Sequence, residues 1–328
     1  MSFDRALIPE AQRPPLPGLA RRVGPKHVTI VMATFNGGWT IDAQLTSIAR
    51  QSHTDWSLIV SDDGSTDDTV ARVQRFAALH PERKIITLRG PGKGAAMNFL
   101  SLLRAAGGAA YLAFADQDDY WLPDRLSRGL AALDGLDRPA IYGSRTVIAD
   151  HDLTPLRLSP AFVRPTGFRN ALVQNVAGGN TMLLNRKALD LLQPASSRID
   201  RLIAHDWWAY QLVTAAGGEM ILDPRPSLLY RQHGANQVGA NDTTRARIAR
   251  IGAVLNGRFA GWIDVQYAAL DAARDAMTPE ARVTFDAART VRRHGALGRL
   301  AGLWRTGLYR QTGPGSLALW GAALIGRL

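Results

Sequence analysis

The sequence predicts an α/β fold: a mostly parallel sheet with helices on both faces, followed by a C-terminal helical extension. Three observations carry this. Short apolar runs at residues 28–33, 56–60, 84–88 and 109–115 alternate with stretches of helical period. Strand-then-helix repeats of that length join strands in parallel, and a parallel sheet needs helices over both faces. Each run ends in polar or glycine residues, at the sheet edge where folds of this class bind ligands.

The first run leads through Thr34-Phe35-Asn36-Gly37-Gly38 into a helix over 40–50. The second ends in the acidic loop Ser61-Asp62-Asp63-Gly64-Ser65-Thr66-Asp67-Asp68, with a helix to about residue 79 behind it. The third meets a loop containing Gly90, Gly92 and Gly94, then a helix that Gly107 and Gly108 close. The fourth ends in Asp116-Gln117-Asp118-Asp119. Three carboxylates within four residues at the end of a buried strand lie a few Å apart, which is unfavourable unless a cation neutralises them. Carboxylate oxygens with no nearby Cys or His suit Mg²⁺ or Mn²⁺, and Mg²⁺ commonly shares its shell with substrate phosphates. A diphosphate ligand follows from that chemistry. A solvated turn entering a helix is the plainer account of the same residues, with Asp119 as the helix cap.

After Asp119 the pattern is less regular. It reads as a helix over 122–133, strands at 140–148 and 181–184, a helix over 201–216 containing His205-Asp206-Trp207-Trp208, and a strand at 219–222. Beyond Asp242 the chain is rich in Ala, Arg and Leu and reads as helical throughout.

A length of 328 residues with 46% hydrophobic composition is ample for a buried core, and the lack of cysteine excludes disulfides and thiolate metal sites. Residues 1–26, with Pro9, Pro14, Pro15 and Pro17, read as a loose arm. No segment approaches the roughly 18 apolar residues that span a bilayer, so a cytoplasmic protein is expected. The net charge of +11 is concentrated late: residues 245–328 hold 13 arginines against five acids, with no acid after Asp286. Such a tail invites nucleic acid or the anionic inner face of the plasma membrane. Arg289, Arg292, Arg293, Arg299, Arg305 and Arg310 stand among Leu and Trp residues, as in an interfacial helix, and a helix packed on the main domain fits the same pattern.

Taken together, these residues resemble glycosyltransferase family 2, inverting nucleotide-sugar enzymes of the GT-A fold with its Rossmann-like sheet. The matching stretches are Val31-Met32-Ala33-Thr34-Phe35-Asn36, residues 60–68, and Asp116-Gln117-Asp118-Asp119 with Tyr120-Trp121-Leu122-Pro123-Asp124. His205-Asp206-Trp207-Trp208, Gly178-Gly179-Asn180-Thr181-Met182 and Tyr230-Arg231-Gln232-His233-Gly234-Ala235-Asn236 look like the rhamnosyltransferase-type members that build bacterial O-antigen, capsule and related polysaccharides. The resemblance covers roughly residues 27–240. It implies a nucleotide-binding half at 27–120, an acceptor-binding half at 121–240, and a basic helical region at 241–328.

The resemblance also implies roles. Thr34 and Asn36 would shape the base pocket, and Asp62 or Asp63 would accept hydrogen bonds from the base or ribose. Lys93 and Asn98 would contact the nucleotide sugar. Asp118 would coordinate Mg²⁺ or Mn²⁺ on the diphosphate, Asp116 would meet the ribose or the metal's water shell, His233 would complete the metal site, and Arg231 would hold the diphosphate through its forked donors. Asp206, at a helix N-terminus that favours negative charge, would be the base that deprotonates the acceptor. His205 would orient Asp206 or the acceptor, with Gly179 and Asn180 beside it. Trp207 and Trp208 cannot face the same way, so one would pack in the core and the other stack on an acceptor sugar. The implied reaction moves rhamnose from its dTDP form to a glycan or polyprenyl-diphosphate-linked glycan.

Two other readings stay open. A sugar nucleotidyltransferase shares the sheet order and the metal, but its first loop usually carries Arg and Lys, which Phe35-Asn36-Gly37-Gly38-Trp39 lacks. A basic nucleic-acid-binding or scaffold protein would use the charge, but no reader motif accompanies it. A nicotinamide dehydrogenase would want Gly-x-Gly-x-x-Gly in that first loop, and it is absent.

Overall fold

The computed structural model describes residues 24–233 and 258–327. Most of the expected N-terminal arm, Gly234, Ala235 and Asn236, and the first part of the basic region lie outside the described residues.

Strands β1 (Val28–Thr34), β2 (Trp56–Asp62), β3 (Ile85–Arg89) and β4 (Tyr111–Ala115) pair in parallel in the order β3-β2-β1-β4. Every residue of β1 and β2 is buried, which is why they read as unbroken apolar runs. The crossovers are α1 (Ile41–Ala49), α2 (Thr69–Leu79) and α3 (Ala95–Ala105), as the periodicity predicts. Alternate residues of β1 serve two cores. Ile30 and Met32 pack with α1 and with α4 (Arg125–Leu133), while Val31 packs with Phe99 and Leu103 of α3 on the other face. The chain winds from β1 to β2 and β3 on one side and to β4 on the other, so the switch point lies between β1 and β4. A crevice at the carboxyl ends follows from that topology. Thr34 is level with Asp62 and Asp62 with Arg89, which lines up the loops that follow them.

The second half of the sheet is mixed. Its strands are β5 (Tyr120–Trp121), β6 (Ala140–Ala149), β7 (Pro155–Leu158), β8 (Leu183–Asn185) and β9 (Glu219–Arg231). β8 runs antiparallel to both β4 and β6, whereas β9 runs parallel to β6 and antiparallel to β5. β9 far outruns the expected strand at 219–222, because register shifts in its pairing with β6 let Pro224 and Arg225 pass without breaking it. The longer strand carries Arg231 and His233 back to the end of β4. Helices α5 (Phe168–Ala171), α6 (Arg186–Ser196) and α7 (His205–Ala215) complete this half. The expected helix over 201–216 begins only at His205, so His205 and Asp206 form its first turn.

Among the described residues four α-helices follow: α8 (Arg258–Asp271), α9 (Pro279–Val291), α10 (Ala296–Thr306) and α11 (Gly313–Leu324). Ile263, Tyr267, Leu270 and Phe285 belong to the same buried core as α3, α6 and α7. The described part of the basic region therefore packs on the α/β sheet.

Candidate active site

The loops after β1, β2 and β3 are organised by their own polar residues. Thr34 donates to Asp62 at 2.8 Å, and the same carboxylate accepts the Ser65 hydroxyl and the Gly64 and Ser65 amides. A carboxylate offers about four acceptor positions, so that of Asp62 is filled from within the protein. This corrects the expectation that Asp62 receives the base or ribose. Asp63 accepts the Gly92 and Gly94 amides at 2.7 and 2.8 Å, one on each oxygen, and keeps acceptor capacity while shaping the glycine loop. Asn36, at a φ of 46° that Asn tolerates, accepts the Thr66 amide and ties the first loop to the second. Lys93 stands exposed on the glycine loop. Asn98 is fully buried and donates to the Ser61 carbonyl at 2.8 Å, pinning α3 to β2. It cannot touch a nucleotide directly, again contrary to expectation.

At the end of β4, ligand oxygens of Asp116, Asp118 and Asp119 lie within 4.8 Å of one another. Asp119 is fully buried; one oxygen accepts from Asn180 at 2.6 Å and the other has no hydrogen-bond partner. It is not the cap of α4, which begins after Asp124. Burial first, then the neighbouring carboxylates, hold Asp119 well above the usual carboxylate range. Asp116 is pushed up in the same way, by burial and then by the charges of Asp118 and Asp206. His233 meets Asp118 at 2.7 Å. An orphaned carboxylate oxygen among crowded carboxyls, with an imidazole on their rim, is a donor set that fits a hard divalent cation.

Gln117, Trp39 and Arg125, to which the sequence assigned no role, complete the site together with Arg231, expected on the diphosphate. Gln117 donates to the Phe35 carbonyl and accepts its amide, closing a two-bond clamp across the switch point between β1 and β4. Trp39 stacks on His151 at 4.7 Å and meets His233 edge-on at 5.1 Å, forming a wall beside the carboxyls. Arg231 donates to the Asp118 carbonyl at 2.8 Å and to the His151 carbonyl, so its guanidinium fastens two site loops. Arg125 is fully buried over the Trp121 ring and donates to the carbonyls of Phe114, Asn180 and Met182. Burial pushes its guanidinium down to about 9, and the charges of Asp119 and Asp116 work against that. One signal for Arg125 was present: it lies four residues before Gly129 and eight before Leu133, on the buried stripe of α4.

Asp206 faces this group from the start of α7. Its oxygens accept the Gly179 amide at 2.9 Å and the Trp207 amide at 2.7 Å, and its charge reaches Asp116. Gly179 is packed so closely that a Cβ there would lie 2.5 Å from His205 Nε2 and 3.3 Å from Asp206 Cβ. His205 stacks on Phe99 at 4.0 Å, its buried Nε2 has no partner, and burial drives its pKa down to about 4. It is a neutral imidazole. The expected acceptor residues fare unequally. Asn180 is buried and committed to Asp119 and Arg125, and Trp208 is fully buried. Trp207 is 6% exposed and donates to the Ala171 carbonyl, so neither indole offers a face to a sugar. Both were drawn into the core because α7 is buried on nearly every side.

Residues 29–190 match the model of the family described as Glycosyl transferase family 2. The dTDP-rhamnosyl transferase RfbG of Shigella flexneri is 30% identical over 232 residues, spanning 69% of this chain and 79% of that protein. The UDP-Glc:alpha-D-GlcNAc-diphosphoundecaprenol beta-1,3-glucosyltransferase WfgD of Escherichia coli is 29% identical over 164 residues, half of this chain and 62% of that one. Among solved structures, the mannosyltransferase PcManGT from Pyrobaculum calidifontis, in complex with GDP-Man and Mn²⁺, superposes with a TM-score of 0.52 at 19% identity, covering 97% of this chain and 90% of its own. That likeness is one of fold, and the fold is GT-A.

Proposed function

The chain belongs to glycosyl transferase family 2 and is a glycosyltransferase, and on that footing we propose that it moves rhamnose from dTDP-rhamnose, with inversion, to a glycan or lipid-linked glycan in the building of a bacterial surface polysaccharide. One observation carries this reading. Three crowded carboxyls, one with an orphaned buried oxygen, stand at the switch-point edge of the sheet, and a separate carboxylate faces them from the first turn of α7. The donor preference is supported by the similarity to the Shigella enzyme, and the lipid-linked acceptor by the similarity to the Escherichia coli one.

In this reading Asp118, Asp116 and Asp119, with His233, hold Mg²⁺ or Mn²⁺. Bound there, the cation would supply positive charge to a departing nucleoside diphosphate. The chain's own residues do the rest. Asp63 and the glycine loop receive the nucleoside, Lys93 lies within the loop that meets the phosphates, and Trp39 covers the donor. Asp206 takes the proton of the acceptor hydroxyl as its oxygen attacks the anomeric carbon. The electron pair of the broken glycosidic bond leaves with the diphosphate. Its two main-chain hydrogen bonds orient Asp206 and leave lone pairs for that proton.

The test is Asp206→Asn. Thermal shift with dTDP-rhamnose and Mn²⁺ should match the wild type, since donor binding is intact, while transfer to acceptor falls by at least a hundredfold. Transfer at the wild-type rate would remove Asp206 as the base. A thermal shift produced by none of the dTDP-, UDP- or GDP-sugars would sink the donor reading.

A further inference from the structure

A cavity of about 410 Å³ opens in the C-terminal helices, far from the carboxyl cluster in sequence and built from α8, α9, α10 and the end of α11. Arg289, Arg292, Arg293 and Arg299 line it, against one acid, Asp264. Three of these guanidiniums are held in place. Arg292 pairs with Asp264, Arg289 with Asp271 at 2.8 Å, and Arg299 donates to the carbonyls of His294, Ala323 and Leu324. Arg293 is exposed, and its guanidinium makes no hydrogen bond or ion pair among the described residues, only its backbone N–H being bonded, to the Thr290 carbonyl. A guanidinium has five donors, so fixed arginines in a concave site retain N–H groups for an anion, above all for phosphate oxygens.

The rim of this cavity is apolar. Gly326, in the lining, directly follows Leu324 and Ile325, which are 51% and 52% exposed. The helix they end, α11, contains no charged residue and exposes Leu317, Ala318 and Gly321 along the same stripe. On α10, Leu297 and Trp304 lie one heptad apart and are 82% and 77% exposed, with Arg305 exposed beside Trp304. The uncharged stripe of α11, which water would not favour and which ends at the lining of an arginine-rich cavity, is complementary to one environment: the interface of an anionic bilayer.

We propose that this cavity seats the phosphate of an anionic phospholipid while the exposed stripes of α10 and α11 enter the headgroup layer. The proposal concerns a surface separate from the carboxyl cluster and does not depend on which sugar is transferred. The full chain is centrifuged with vesicles of phosphatidylcholine alone and of phosphatidylcholine with phosphatidylglycerol, with no sugar nucleotide present. Binding should require the anionic lipid and weaken with salt. Arg289→Gln with Arg293→Gln should reduce it by about 25-fold, roughly fivefold per arginine. Leu317→Ser with Leu324→Ser should also release the protein, and an unchanged unfolding midpoint shows that the variants fold. Equal binding by wild type and the arginine variant would overturn the site, as would binding to neither vesicle. Stabilisation by inorganic phosphate without vesicle binding would assign the cavity to a soluble anion, and capture of labelled DNA in place of vesicles would assign it to nucleic acid; either overturns the lipid. A loss of transfer with vesicle binding intact would strike the donor reading and leave this one standing.

Discussion

Asp119 shows how much a single side chain's surroundings alter its meaning. As a residue in a motif it reads as a helix cap, since Asp is common there. Buried and half-partnered among like charges, it is a group the fold tolerates only with a cation or a proton. Asp119→Asn keeps an oxygen for Asn180 and gives Asp116 and Asp118 a donor in place of a charge. Urea unfolding with a chelator at pH 7 should show the variant more stable than wild type by about 1 kcal/mol or more. The stabilisation that Mn²⁺ confers on the wild type should vanish. His205 works in the opposite sense. Its pKa falls from 6.5 unfolded to about 4 folded, so between those values the unfolded chain binds the extra proton. Wild-type stability relative to His205→Gln should therefore be constant above pH 6.5 and decline by roughly 3 kcal/mol as the pH falls to 4. Parallel stability curves for the two proteins would show that His205 is not held neutral.

Between elements, the site depends on close approaches. The turn at Gly179–Thr181 gives its first amide to Asp206, and only a residue without Cβ fits against His205 there. Gly179→Ala must push the turn from α7. Transfer should fall about tenfold or more while the donor thermal shift changes little, because a carboxylate misplaced by even 1 Å loses its alignment. Equal transfer rates would mean that the turn does not set the position of Asp206. The clamp from Gln117 to Phe35 plays the matching role on the donor side, tying the loop after β4 to the loop after β1. β9 does so over a longer span, carrying Arg231 to the Asp118 and His151 carbonyls.

Across the whole molecule, the C-terminal helices support the site and also present a surface. Gln266 of α8 is fully buried, accepts the Ile203 and Ala204 amides and donates to the Ala204 carbonyl, fixing the chain just before Asp206 enters α7. Tyr267 packs edge-on against Phe285 and donates to the Leu172 carbonyl, joining α8 and α9 to the segment after α5. Elsewhere α10 exposes Leu297 and Trp304, and α11 exposes Leu317 and Leu324 on the stripe that ends at the arginine cavity. One helical region thus steadies the segment that leads into Asp206 on its inner side and exposes arginine and apolar side chains on its outer side. Among the described residues no helix is long and apolar enough to cross a membrane.

The sequence alone sets the α/β class, the order of the first four strands and helices along the chain, and the residues at the strand ends. Those features rest on periodicity and turn chemistry, which are local. It also placed Asp116, Asp118 and Asp206 where the structure gathers them, since a carboxylate at a strand end or in a helix's first turn is located by its own element. Tertiary structure decided what each polar group has left to offer. Thr34 and the turn through Ser65 fill the lone pairs of Asp62, the Ser61 carbonyl takes the Asn98 amide, the Ala171 carbonyl takes the Trp207 indole, and Trp208 is buried whole. Asp119, Arg125 and Gln117 gained importance through partners that lie up to 82 residues away. Such pairings depend on which elements the sheet brings together, and above all on the register shifts of β9 and the burial of α7, neither of which any local pattern encodes.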